Sequence, residues 1–188
     1  MNIFTLTPEQ WKASALLDEV MGILSKGNPG EFSKLKERVP SFPYGVDPFH
    51  ETPWLTNAID WRAIDAINWM IDQKVQTNYC DGEGYTPLMS AIELTDSESK
   101  YRILEILLRA GAEPDQIGHY GTAAHLASMR GDLEALKILQ KFGANLCLPH
   151  EDLGRWSTPL DEAVRQNRAD VATFLRSVCI EKAKMRAL

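Results

Sequence analysis

An all-α solenoid, made of helix–turn–helix units that stack on one another, is the fold class this sequence predicts. Three observations predict it. A Thr-led tetrapeptide recurs as Thr-Pro-Trp-Leu at Thr52, Thr-Pro-Leu-Met at Thr86, Thr-Ala-Ala-His at Thr122 and Thr-Pro-Leu-Asp at Thr158, spaced by 34, 36 and 36 residues. Residues 121–144 hold two short helical patterns back to back. Neither pattern is long enough to be stable alone in water, so each needs neighbours to lean on.

Within 121–144, Thr122 can cap a helix carrying Ala123, Ala124, Leu126, Ala127 and Met129. Arg130-Gly131-Asp132 breaks it, because glycine costs about 1 kcal/mol inside a helix and favours the position just past its end. Asp132 then opens a second helix with Leu133, Leu136, Ile138 and Leu139 at helical spacing, closed at Phe142-Gly143-Ala144. A small residue follows each leading Thr at one offset in three units (Ala91, Ala127, Ala163), with Asn57 in the first.

The chain resembles the ankyrin repeat family, whose unit of roughly 33 residues has a Thr-Pro-Leu-His-x-Ala signature, one turn and two helices. The resemblance covers about residues 50–180. It implies four units (about 50–81, 82–117, 118–153 and 154–180), joined by short β-hairpin fingers. Each leading Thr caps a first helix, proline in the first turn loses no needed donor, and the small residue lets paired helices approach. His125 falls at the signature His, where hydrogen bonding between adjacent turns is expected. Departures are Ala123 and Ala124 for Pro and Leu, Trp54 for Leu and Asn57 for Ala. The second unit has about four extra residues in Glu93–Lys100, expected to lengthen the link between its helices. The link from Gly143 to Thr158 is also long, which implies an enlarged finger at Leu146–Ser157.

Residues 1–49 read as a helical N-terminal cap and connector. Thr7-Pro8-Glu9-Gln10 is a start signal, and Trp11, Ala15, Leu16, Val20, Ile23 and Leu24 follow a helical period to a stop at Gly27-Asn28-Pro29-Gly30. A shorter helix carries Phe32, Leu35 and Val39 before Pro40, and 41–50 is extended. Solenoids need such caps because an end unit has one face without a neighbour. Trp54, Ile59, Ile64, Ile67, Trp69, Met70 and Ile71 supply the first unit's core, with Trp61 at its bend. Asn78–Tyr85 reads as a hairpin with Asp81-Gly82 as turn signal. The last helix continues past Cys179, with Lys182, Lys184 and Arg186 suited to a helix C-terminus, and forms the second cap.

The 188 residues carry 44% hydrophobic side chains and a formal net charge of −6. That acidity counts against nucleic acid, which normally demands a basic face. Three cysteines (Cys80, Cys147, Cys179) form an odd number without framework spacing, which points to a reducing compartment. Cys80 and Cys147 read as bystanders in the fingers and Cys179 as core. No signal peptide or spanning run of about 18 apolar residues is visible. The expectation is a cytoplasmic monomer binding another protein, without nucleic acid, membrane or cofactor. Delivery into a host cell stays open.

The search for chemistry finds no complete constellation. Gly22–Gly27 has phosphate-loop spacing but is followed by Asn28-Pro29 instead of Lys and Ser/Thr. His50-Glu51 and His150-Glu151 lack the second His of a helical zinc site, and Cys147-Leu-Pro-His150 is only a partial ligand set. No Gly-x-Ser-x-Gly occurs, and His125 as a general base competes with its signature role. The reading is no enzyme, no catalytic residues and no metal.

The resemblance implies that finger tips and inner helices form a concave surface for protein partners. Tyr79, Glu83, Tyr85, His119, Tyr120, Arg155 and Trp156 are the finger candidates, of types enriched in interfaces, though finger aromatics also pack on neighbouring fingers. On the inner helices the candidates are Thr56, Ser90, Glu93, Met129, Arg130, Glu162 and Arg165, and the stretch Leu148–Trp156 exceeds what stacking requires. The leading function is a non-catalytic adaptor, scaffold or inhibitor. Two alternatives stand beside it: an effector of an intracellular bacterium using a eukaryotic-type repeat, or a repeat scaffold holding substrate for a Cys/His-based activity.

Overall fold

The computed structural model describes residues 7–152 and 155–186. The expected all-α fold is present, and it divides into two compact units, residues 1–76 and 77–188.

The first unit holds α1 (Pro8–Leu24), α2 (Pro29–Arg38), α3 (Trp54–Asp60) and α4 (Ile64–Asp72). Thr7 and Gln10 form a capping box at the start of α1, satisfying two otherwise orphaned backbone donors. Asn28 accepts from Gly30 N–H and caps α2, so Pro29 and Gly30 begin a helix and the stop expected at Gly27–Gly30 falls at Ser25–Asn28. The core is aromatic. Phe42 stacks on Trp69 and meets Trp54 edge-on, and Phe32 meets Trp69 edge-on, each with ring centroids 5.7 Å apart. Trp11 differs from its expected place, being 63% exposed; near the free end of α1 it lies beyond the part of the helix where Leu17, Val20 and Leu24 are buried.

Thr52 is not the cap of α3. Pro53 holds that position, and no side chain bonds there. Thr52 instead belongs to a loop organised by Asp47, which is fully buried. Its carboxylate accepts from the backbone N–H groups of Phe49, His50 and Thr52 and from Asn57 Nδ2, at 2.7 to 3.1 Å. Burial pushes this carboxyl up, but the hydrogen bonds outweigh it and hold its pKa below the ordinary 3.8. This also gives Asn57, at the small-residue position, a role no alanine could fill.

The second unit is three helical pairs: α5 (Pro87–Glu93) with α6 (Ser97–Arg109), α7 (Ala123–Arg130) with α8 (Leu133–Lys141), and α9 (Pro159–Arg165) with α10 (Ala169–Arg186). First helices pack on first helices and second on second along α5–α7–α9 and α6–α8–α10. Thr86, Thr122 and Thr158 are N-caps as the repeat requires. Gly131 ends α7 in the left-handed region at φ 75°, where a side chain would be strained. The extra residues near 94–100 lengthen a helix and not the link: Asp96 caps at once, and α6 gains a turn, with 13 residues against 9 in α8. The hairpin expected at Asn78–Tyr85 has no strands. Asp81 makes a tight turn there by accepting from Glu83 and Tyr85 N–H. Strand pairing between two named strands occurs at β1 (His150–Asp152) and β2 (Arg155–Ser157), antiparallel with Glu151 opposite Trp156.

Replacing Asp47 with Ala strands four donors, one buried and three part-buried, so it is expected to destabilise the first unit by about 2–3 kcal/mol. Urea unfolding followed by tryptophan fluorescence measures this, since four of the five tryptophans (Trp11, Trp54, Trp61, Trp69) lie in that unit.

Candidate protein-interaction surface

The first helices of the second unit end side by side, and their last residues carry charge. Arg130 at the end of α7 donates through Nε and Nη2 to both carboxylate oxygens of Glu93 at the end of α5, at 2.9 and 3.0 Å. Such a bidentate pair fixes the relative position of two helices as well as balancing charge. Arg165 at the end of α9 pairs with Glu162 one turn earlier. Met129 lies half-buried beside Arg130.

The first two fingers are locked to each other. His119 N–H donates to Gly84 O at 2.8 Å, and a Cβ on Gly84 (φ +80°) would lie 2.7 Å from the His119 Cβ, so only glycine permits this approach. Tyr85 and Tyr120 meet edge-on at 5.4 Å, and His119 meets Tyr120 at 5.0 Å. Burial and the Tyr120 hydroxyl push the Tyr85 phenol well above its ordinary pKa. Tyr85 and Tyr120 are therefore half-buried neighbours, whereas Glu83 and His119 are exposed. Tyr79 is half-buried. Trp156, on the third finger, is 65% exposed. The Arg155 side chain lies outside the described residues, as do Leu153 and Gly154 of that finger.

Three inner-helix candidates are buried instead of exposed: Thr56, Ser90 and Glu162, each below 8%. They occupy the same register position, one turn into the first helix. Sequence reasoning missed this because their polarity argued for the surface.

Further polar links tie one pair to the next. Asn78 accepts from Glu113 N–H at 2.7 Å and donates to Gly111 O at 3.2 Å. Asp115 accepts from Asn145 N–H at 2.8 Å. Asp132, the cap of α8, also accepts from Lys100 and Tyr101 of α6, each at 2.9 Å. Burial and that carboxylate push the Tyr101 phenol up to about 12. His125 is 1% exposed. Its Nδ1 accepts from Thr122 N–H at 3.1 Å, which leaves Nε2–H to donate to Ser157 O at 3.2 Å in the next unit. Burial lowers its pKa to about 4; the Ser157 bond opposes this, and nearby His150 adds to it. The residue is a structural link between turns and not placed as a base.

The cysteine reading needs correction. Cys147 and Cys179 form a disulfide with Cα atoms 5.9 Å apart, joining the base of the third finger to α10. Neither is a bystander or an ordinary core thiol, and Cys147 is not free to pair with His150 as a metal ligand. The odd count resolves into one pair plus free Cys80, so it no longer argues for a reducing compartment. No group of three or more metal-ligating side chains occurs among the described residues.

The family model for ankyrin repeats, in 3 copies, matches residues 97–184. Residues 97–184 are ankyrin repeats. No curated protein matches it. The ankyrin match spans α6 to α10, a shorter stretch than the repeat pattern read from residue 50 onward. Ankyrin repeats are generally protein–protein interaction modules and typically non-catalytic. Among the described residues no helix is long and apolar enough to cross a membrane.

Because folded His125 stays neutral while an unfolded one titrates near 6.5, its contribution is complete above pH 6.5 and declines as pH falls toward 4. The expected loss over that window approaches about 3 kcal/mol. Unfolding free energies measured from pH 7.5 to 4 should show this slope in the wild type and lack it in His125→Asn.

Proposed function

We propose that this protein is a non-catalytic adaptor, scaffold or inhibitor that captures another protein on the ends of α5, α7 and α9 and on the third finger. The observation that carries this reading is Trp156. It stands 65% exposed on a two-stranded finger longer than stacking requires. Exposed large aromatics on rigidly held loops are where binding energy concentrates. The surrounding groups suit such a surface: Arg130 and Glu93 are a fixed polar pair, and Met129 is an adaptable apolar neighbour. The Arg130–Glu93 pair and the bond from His125 to Ser157 O hold these groups in place before binding, which limits the ordering entropy lost on association.

Truncating Trp156 to Ala should weaken the partner by about 2 kcal/mol, roughly 30-fold in Kd, with little change in thermal unfolding. Quantitative mass spectrometry of proteins captured from native cells, comparing wild-type and Trp156→Ala baits, identifies the partner. Titration calorimetry then gives the ratio, and an unchanged Kd would remove the third finger from the interface.

A further inference from the structure

At the fourth position after each leading Thr the chain places Thr56, Ser90, Leu126 and Glu162, and all four are buried. A hydroxyl or an isobutyl group suits an interior. A carboxylate does not, because desolvating it is costly unless a cation and hydrogen bonds compensate. The cation is Arg165, one turn further along the same helix, with its own side chain 38% exposed. Same-helix pairs with an exposed member are weak and rearrange readily. So a buried carboxylate is matched by a loosely committed partner.

Glu162 also borders a cavity. With Arg165 and Gln166 it lines a pocket of about 250 Å³, walled by Tyr120 and Met129 and rimmed by His150. That volume is below the roughly 300–1,000 Å³ of small-molecule sites, and suits a single side chain. The wall is an aromatic ring and a thioether, fitted to a methylene stem, and a phenol face also attracts cations. Arg130, at the end of α7, is already balanced by Glu93, and Arg168 donates to Met129 O.

We propose that this pocket receives one lysine or arginine side chain of the bound protein. Its cation pairs with Glu162 as Arg165 swings out, and its stem lies along Met129 and Tyr120. Arg165 is a placeholder that keeps the buried carboxylate neutralised until a partner's cation replaces it. This rests on the interaction reading above and adds a side-chain preference to it.

The test uses the isotope-labelled full chain titrated with Nα-acetyl-arginine amide, Nα-acetyl-lysine amide and, as a carboxylate probe, Nα-acetylglycine. Either cation should shift the Met129 methyl and Gln166 side-chain resonances. Binding should tighten about fivefold in Arg165→Gln, where the placeholder is gone, and vanish in Glu162→Gln. Unfolding midpoints of both variants confirm that they remain folded. Absence of any cation response in Arg165→Gln overturns the proposal. So does a response to acetylglycine that Arg165→Gln abolishes, since that would make Arg165 the receptor of an anion. Both failures leave the Trp156 reading standing, because these probes are read without the partner protein.

Discussion

The hydrogen bond from His125 to the Ser157 carbonyl is the constraint on which the second unit depends. Apolar helix faces hold adjacent pairs together but resist sliding only weakly, because hydrophobic attraction has no direction. A buried imidazole that accepts from its own turn and donates to the next unit admits one register. Around it, Asp132 receives Lys100 and Tyr101, and Asn78 and Asp115 reach the loops that follow. Each link joins residues roughly one repeat apart, so order passes from neighbour to neighbour.

That register is what makes a surface out of helix ends. Glu93, Arg130 and Arg165 come from three helices, and their alignment follows from packing behind them. The same packing explains how a buried carboxylate is tolerated at all. A carboxylate at Glu162 weakens its own repeat, and such a local penalty is tolerable where neighbouring interfaces supply the stability. Sites that bind often sit where the fold is locally least content.

Much of this was legible in the sequence. The capping Thr residues, the glycine after α7 and the apolar periods each act through local chemistry, so spacing alone reveals them. What escaped was decided at a distance. Nothing local tells that Cys147 and Cys179, 32 residues apart, meet when α10 folds back beside the finger. Thr52 looks like its three counterparts until Asp47 is seen to hold its loop. Asp96 is a second helix start hidden inside an insertion, which turned an expected loop into a helical turn. Candidate surface residues failed most where polarity stood in for exposure, as at Ser90 and Glu162.

The disulfide lies in the pair that has a neighbour on one side only among the described residues, with Val164 left 52% exposed on its far face. End pairs are the first to fray in stacked proteins. Here the sulfur bridge anchors the outer helix of that pair to the preceding finger. When α9 and α10 come loose they swing on a tether, and return is a short search within one molecule instead of a refolding from a free tail.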